Sequence, residues 1–398
     1  MDWKSECVQG LRVRHLLNRS RAWKQQGLVN LLRLPGKFSA LDYHQGHIAG
    51  GTIGNSTNPQ EDNTESVVVW SVEHSRVFLT FPVSSTVSCI KLHFPHLVVC
   101  GHFDGSISSF CVGPHSFPWG GELLSPQPPG SLLQKYYLHT SPVLSVDLSL
   151  VEDLLVSGSA DWSSKVWCLS SGQLLKTLES DWFVLSCILR PSSEHTVGRF
   201  RGRHLLLTMS KFDIQLWSWE AVESPNPGAE SLSLLVKPSL CIPLYSDTED
   251  IPSPFFLTPS LHFDGQNISF IRQRSMFGNQ GSADIVILSA DTGEVVHNVH
   301  VNHKIKKLLA LGKRYAVLLL PDVDFSLMKL AVVDLVTREI VGGCTVPHSQ
   351  ANSPNFNHVI IGDPGWLNGL SSSVTDGLVA CIAQADSSIN LVTWESTV

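Results

Sequence analysis

The sequence predicts an all-β fold assembled from repeated four-stranded units. Residues 139–178 contain four short β-rich runs, at 143–148, 153–157, 163–168 and 173–178. Serine, aspartate and glycine residues separate these runs, as expected between short antiparallel strands. A unit of about 40 residues with four strands and a histidine at its head is typical of one blade of a β-propeller.

A large apolar residue recurs at the same place in seven such units. In the clearest unit it lies in the third β-rich run. The seven residues at this position are Trp70, Phe110, Trp167, Trp217, Leu288, Val333 and Trp394. Proline, serine and glycine gather at 113–131, 192–202, 224–254 and 348–365, which are predicted to be loop insertions between strands rather than domain linkers. The seven positions predict a seven-bladed β-propeller, because a single four-stranded sheet cannot bury both of its faces.

The two ends of the chain favour one closed domain. The sequence ends four residues after Trp394, so the last unit lacks a fourth strand. The strand-like run 27–34 precedes the first unit, and it would remove two exposed sheet edges if it paired with the last unit. Residues 27–398 are therefore predicted to be one propeller domain, with 27–34 as the closing strand of the last blade.

Residues 1–26 are predicted to be a short helical connector. Apolar residues including Leu11, Leu16 and Trp23 fall near helical spacing, and basic residues surround them. An amphipathic helix packed on the rim of the propeller is favoured. The alternatives are a basic helix that binds a partner and a mitochondrial presequence, which Asp2 and Glu6 disfavour.

The clearest unit resembles a WD-repeat blade. In such blades a histidine before the first strand, a serine in the second, an aspartate in the tight turn and a tryptophan in the third form a hydrogen-bonded chain. By position the histidine is His139, the serine is Ser157 or Ser159, the aspartate is Asp161 and the tryptophan is Trp167. The same residue types could suggest a catalytic triad, but the repeat explains them structurally, because a buried aspartate needs donors. No catalytic residue is predicted.

Three segments carry a narrower resemblance. Residues 154–178, 259–265 (PSLHFDG) and 365–394, which include WLNGL and a D-x-S-I-x-L-V-x-W ending, are similar to the F-box/WD-repeat family. That resemblance implies a substrate receptor of a Skp–cullin–F-box ubiquitin ligase, in which the propeller holds a protein substrate and the F-box docks on the Skp adaptor. Residues 1–26, with Trp3-Lys4, resemble the connector that follows an F-box and not the F-box itself. The alternative is therefore a freestanding WD-repeat scaffold without a role in ubiquitin transfer.

Two clusters in the propeller are candidate ligand sites. Arg199, Arg201 and Arg203 could bind a phosphorylated or acidic motif, although a solvated loop is the favoured explanation. The histidines around Cys89 and Cys100 fit no zinc spacing, so no metal site and no cofactor are predicted.

The composition of the chain indicates which class of partner and which cellular compartment to expect. The net charge of −7 gives no general attraction to nucleic acid or to acidic lipid, so protein partners are predicted. The nine cysteines are scattered singly and never as C-x-x-C, which is typical of reduced thiols in the cytoplasm or nucleus. No signal peptide or membrane-spanning run is recognised in the sequence.

Overall fold

The computed structural model describes residues 28–33, 37–53, 65–71, 74, 76–113, 127–191, 200–220, 237–244, 261–273, 281–305, 307–311, 315–321, 327–347, 359–361, 378–383 and 388–394. The regular elements in this part of the chain are β-strands, and it contains no α-helix. In chain order they are β1 (Leu28–Arg33), β2 (Lys37–His44), β3 (His47–Ile53), β4 (Ser66–Ser71), β5 (Arg76–Pro82), β6 (Val87–His93), β7 (Leu97–His102), β8 (Ile107–Cys111), β9 (Leu132–Tyr136), β10 (Val143–Ser149), β11 (Leu154–Ser159), β12 (Ser163–Cys168), β13 (Leu174–Glu179), β14 (Ser186–Arg190), β15 (Arg203–Met209), β16 (Asp213–Glu220), β17 (Leu240–Pro243), β18 (Leu261–Phe263), β19 (Asn267–Gln273), β20 (Ala283–Ser289), β21 (Val295–Val301), β22 (Lys307–Leu311), β23 (Tyr315–Pro321), β24 (Leu327–Asp334), β25 (Ile340–Pro347), β26 (Val359–Ile361), β27 (Leu378–Ala383) and β28 (Ser388–Trp394).

These strands pair into four-stranded sheets. The sheets are β2–β5, β6–β9, β10–β13, β14–β17, β18–β21, β22–β25 and a last one with the order β1-β28-β27-β26. In the last sheet β1 runs antiparallel to β28, from Leu28 opposite Thr393 to Arg33 opposite Ser388. Strands from near the two ends of the sequence thus share one sheet.

Two compact units divide the strands. Unit 1 comprises Met1–Lys37, Ile271–Ile285 and Val299–Val398, and unit 2 comprises Phe38–Phe270 and Val286–Asn298. Apart from the first residue of β2, six sheets each belong to a single unit: two to unit 1 and four to unit 2. The strands β19, β20 and β21 are each divided between the units.

The predicted fold is corrected on two points. Seven equivalent blades in one ring were expected. Six sheets each lie within one of the two units as whole blades, whereas the sheet β18–β21 is divided between the units. The spacing of repeats along a sequence does not report which sheets share a core, and this is why the count was wrong. The helical connector is also unsupported, since the described residues contain no α-helix and residues 1–26 lie outside them. The domain boundaries 1–26 and 27–398 stay predictions.

The burial of the strands in unit 2 follows their sequence. Every residue of β7, β8 and β11 is buried, and these strands read as nearly continuous runs of apolar and small residues. Such runs suit strands covered on both faces. The fourth strand of the first sheet, β5, is buried only at Phe81, because it lies at a sheet edge.

A β-bulge recurs next to the large apolar position of the repeat. The pairing of third and fourth strands shifts register directly before Trp70, Phe110, Trp167 and Val333. A bulge bends its strand and increases its twist. Its recurrence at one repeat position shows that these sheets share a backbone pattern as well as a residue pattern.

Aspartate side chains join the first strands of successive sheets in unit 2. Asp42 on β2 accepts the backbone N–H of Leu92 on β6, at 2.7 Å. Asp147 on β10 accepts the backbone N–H of Leu189 on β14 at 2.9 Å, and its other oxygen lies 3.0 Å from Nζ of Lys91. Carboxylates at this position therefore help to fix the spacing between neighbouring sheets.

Candidate protein-binding site

The sheet β10–β13 contains a complete hydrogen-bonded chain of four side chains. Trp167 Nε1 donates to Ser157 Oγ at 2.9 Å, and Ser157 Oγ lies 2.8 Å from His139 Nε2. His139 Nδ1 lies 2.7 Å from Asp161 Oδ2. Because an ionised carboxylate can only accept, the imidazole carries its proton on Nδ1 and donates it to Asp161. Nε2 of the neutral ring is then an acceptor, so the Ser157 O–H donates to it while the Ser157 oxygen accepts the tryptophan N–H.

Burial and hydrogen bonding set the charges in this chain. Burial lowers the pKa of His139, which keeps the imidazole neutral. Burial alone would raise the pKa of Asp161, but hydrogen bonds from His139 and Ser163 hold that pKa well below its ordinary value. Asp161 also accepts the backbone N–H groups of Thr140 and Ser163. The carboxylate is ionised, and internal donors occupy both of its oxygens.

The structure assigns the serine position of this chain to Ser157 and not to Ser159. The Ser159 hydroxyl lies 3.0 Å from the carbonyl oxygens of both Ser141 and Pro142, and it accepts the N–H of Asp161 at 3.1 Å. Ser159 thus supports the turn that carries Asp161, and its predicted place in the chain is wrong. The Ser157 side chain is fully buried and is engaged on both sides, so the chain has a structural role.

The sheet β14–β17 contains part of the same network, because Trp217 Nε1 donates to Thr208 Oγ1 at 3.2 Å, and these residues match Trp167 and Ser157 in register. In β6–β9 His102 lies 3.2 Å from the Ser108 hydroxyl, but this histidine ends the second strand and this serine is on the third, so the contact is a different one. The repeat pattern is strongest in residues 139–178, where all four residue types coincide.

Two of the three arginines of the predicted cluster lie within the described residues. Arg199 lies outside the described residues. Arg201 is exposed in the loop before β15, while Arg203 pairs with Glu220 at 3.3 Å and donates to the carbonyl of Ser218 at 3.2 Å. An incoming phosphate would have to compete with Glu220 for Arg203, so this site stays a prediction with weak geometric support.

A group of histidine rings lies between the first two sheets. His44 stacks on His93 with ring centroids 4.7 Å apart, and His96 lies 5.8 Å from His93. Burial lowers the pKa of His93 to about 4. Among the residues that the structure describes, no group of three or more histidine, cysteine, aspartate or glutamate side chains is arranged to hold a metal ion.

Aromatic side chains gather on the loops at the end of the sheets that holds His139 and Asp161. Trp162 lies between β11 and β12, Trp182 between β13 and β14, and Phe212 between β15 and β16. Trp162 stacks on Trp182 at 5.7 Å, and Trp182 meets Phe212 edge-on at 5.6 Å. Lys211 Nζ lies 5.9 Å from the Trp182 ring and 5.4 Å from the Phe212 ring. We call these four residues the aromatic loop cluster.

The sequence reasoning missed this cluster. Its members lie far apart in sequence and follow no strand period. A weak signal was available, because each aromatic ring is next to an aspartate within a turn, in Asp161-Trp162, Asp181-Trp182 and Phe212-Asp213. Large apolar residues in turns are unusual unless they pack or bind.

The repeated sheets and the buried histidine–aspartate–serine–tryptophan chain define the class: the protein is an all-β propeller that resembles WD-repeat proteins. Over 215 residues, or 54% of the chain, it is 25% identical to "F-box/WD repeat-containing protein 2" of Rattus norvegicus. The Homo sapiens protein of the same name is 24% identical over 215 residues. The match covers 40% of each relative, so the chain spans well under half of the length of those proteins. The resemblance to the F-box/WD-repeat family that the sequence motifs indicated is thereby supported.

A solved structure shares the fold. The crystal structure of the computationally designed Ika8 protein superposes with a TM-score of 0.51 over 93% of this chain and 100% of that chain, at 14% identity. No family model matches the sequence. Within the described residues, no helix is long and apolar enough to cross a membrane.

Proposed function

We propose that this propeller binds other proteins and has no catalytic role of its own. The observation that carries the proposal is the aromatic loop cluster, which exposes 46% of Trp162 and 37% of Phe212 on loops held by rigid sheets. Exposed aromatic rings on a rigid scaffold are the residues that dominate the energy of protein interfaces. Further apolar residues are exposed on neighbouring loops of the same unit, at Phe103, Tyr137 and Leu138.

The arrangement of the serine, histidine and aspartate supports the non-catalytic part of this proposal. A nucleophilic serine must be open to substrate and must pass its proton to a base. Ser157 is fully buried, and its oxygen accepts the Trp167 N–H. These three residue types are therefore accounted for by the stability of the sheet.

We further propose that the bound protein is a substrate of a Skp–cullin–F-box ubiquitin ligase, and that this chain is the substrate-recognition part. The support is the similarity to proteins named for an F-box and WD repeats. The described cysteines Cys89, Cys100, Cys111, Cys168, Cys187 and Cys241 are free thiols. Free thiols suit a reducing compartment, so we propose the cytoplasm or the nucleus as the site of action.

Co-purification of the full chain with the Skp adaptor, either directly or through dimerisation with an F-box-bearing relative, tests the ligase assignment. Size-exclusion chromatography of the chain mixed with the adaptor, with and without such a relative, is expected to show a stoichiometric complex at micromolar concentrations. Trp162→Gly serves as the control, since a substitution on the substrate-binding loops should leave this complex unchanged. Failure of the wild-type chain to enter a complex in either mixture would overturn the ligase assignment and favour a freestanding WD-repeat scaffold.

A further inference from the structure

We propose that the aromatic loop cluster is a recognition site for a protein segment that presents a large apolar side chain next to a carboxylate. This inference rests on the proposed protein-binding function and specifies the chemistry of the partner. Trp162, Trp182 and Phe212 would contact the apolar side chain, and Lys211 would pair with the carboxylate.

The rings come from three loops and form one continuous surface. Trp182 lies in the middle, stacked on Trp162 at an interplanar angle of 22° and nearly perpendicular to Phe212 at 78°. The outer two rings are the exposed ones. An apolar side chain placed against Trp162 and Phe212 would remove both rings from water, and aromatic surface of this kind is a strong source of binding energy.

As in the equivalent turn between β7 and β8, where Gly105 has a φ of 85°, the tight turn between β11 and β12 places Trp162 in a left-handed conformation. Its φ of 66° lies in the left-handed region, which is unfavourable for a bulky side chain and which glycine adopts freely. The residue still leaves 46% of its surface exposed, although it stacks on Trp182. A large exposed ring at a turn position that suits glycine points to a role outside the folding of the sheet.

The middle ring also gains little from internal hydrogen bonding. Trp182 Nε1 is buried and has no hydrogen-bond partner in the part of the chain that the structure describes. An unpaired buried N–H group destabilises the folded state. Packing between the rings, and not a polar contact, therefore holds Trp182 in place.

The positive charge of Lys211 favours a negatively charged ligand. Its ammonium lies near two of the rings, where it would repel a second cation, so an ammonium ligand in an aromatic cage is disfavoured. Among the described residues no carboxylate oxygen lies within 4 Å of this ammonium. A carboxylate on the incoming segment would supply that partner.

The neighbouring aspartates differ in their availability. Internal donors occupy both oxygens of Asp161, and Asp213 accepts from Ser210 and from Gln215 Nε2. Asp181 is exposed beside Trp182. Its carboxylate could attract a positively charged segment and so reverse the preference for an acidic ligand. The experiment therefore includes a variant of Asp181.

Selection of random peptides displayed on phage against the immobilised full chain tests the proposal. We expect enrichment of peptides with a Phe, Trp or Leu adjacent to Asp or Glu. In fluorescence anisotropy with one such synthetic peptide, Trp162→Gly should weaken binding at least about tenfold, as expected for a central aromatic contact. Glycine suits the backbone of residue 162, so this variant should fold, and its melting temperature verifies that.

Charge variants provide matched controls. Lys211→Gln should weaken the acidic peptide about threefold to tenfold and should hardly affect the same peptide with its acid replaced by the amide. Arg201→Gln removes one positive charge at the other end of the sheet β14–β17 and should change neither affinity. Enrichment of basic peptides whose binding is lost in Asp181→Asn would overturn the proposal, as would equal binding by wild type and Trp162→Gly.

The failure of this site is distinguishable from failure of the proposed function. If adaptor binding persists and the selected peptides bind through Arg201 instead, the protein-binding function stands and the aromatic site is rejected. If the chain selects no peptide and binds no adaptor, both proposals are rejected.

Discussion

Replacing Ser157 by alanine removes the hydroxyl that joins His139 to Trp167. Hydrogen bonds of 2.8 and 2.9 Å are lost, and each contributes about 1 kcal/mol net to stability. The two ring nitrogens then stay buried without a partner, and the penalty of about 1–3 kcal/mol for each unsatisfied group takes the place of the net value of each bond. We therefore expect the free energy of unfolding to fall by about 2–6 kcal/mol.

Urea unfolding of the full chain, followed by circular dichroism at neutral pH, measures this loss. Ser269→Ala is the matched control, because Ser269 is equally buried but its hydroxyl has no hydrogen-bond partner within the described residues. Its removal should leave the free energy of unfolding unchanged or raise it by up to about 1 kcal/mol.

The reasoning is refuted if Ser157→Ala is no less stable than Ser269→Ala. That result would mean that the hydroxyl of Ser157 does not bridge the two rings. A loss in Ser157→Ala that Ser157→Thr partly restores would agree with the bridge, since threonine retains the hydroxyl.

Three more predictions concern stability. Burial places the folded-state pKa of His93 at about 4, below its ordinary 6.5, so between these values the unfolded chain binds a proton that the folded chain does not. The free energy of unfolding should therefore fall as the pH is lowered from 7 towards 4, by up to about 1.4 kcal/mol per pH unit for this histidine. Urea unfolding at several pH values measures this dependence, and His93→Gln should make the free energy of unfolding depend less steeply on pH. Trp162→Gly should change the free energy of unfolding by no more than about 1 kcal/mol, because relief of the left-handed backbone strain offsets the lost stacking on Trp182, and a loss of more than about 2 kcal/mol would contradict this. Gly158→Ala should lower it by about 1–3 kcal/mol, because the new Cβ would stand 2.6 Å from Val184 Cγ1, and an unchanged urea midpoint would show that Val184 can move aside.

The local chemistry of one repeat could be predicted from the sequence, since it depends on residues close together in the chain. In the structure His139 lies against both Asp161 and Trp167. The choice between Ser157 and Ser159 could not be made, because residues two apart on a strand point to the same face. Strand register decides it: Trp167 lies opposite Leu155, which brings its indole N–H within reach of Ser157.

The grouping of the sheets and the candidate site could not be predicted in the same way. The large apolar positions mark third strands, at Trp70 and Trp217 in unit 2 and at Val333 in unit 1. They carry no information on which sheets pack into one unit. The aromatic loop cluster depends on three loops from successive sheets, so only the packing of those sheets brings Trp162 and Phe212 together.

Amide hydrogen exchange with mass spectrometry, on the full chain with and without a selected acidic peptide, most directly tests whether a partner binds through the aromatic loops. We predict slower exchange around residues 160–163, 181–185 and 210–213, with the loop at 200–203 unchanged. Slower exchange at 200–203 with no change around Trp162 would contradict the assignment and move the binding site to the opposite end of the sheets.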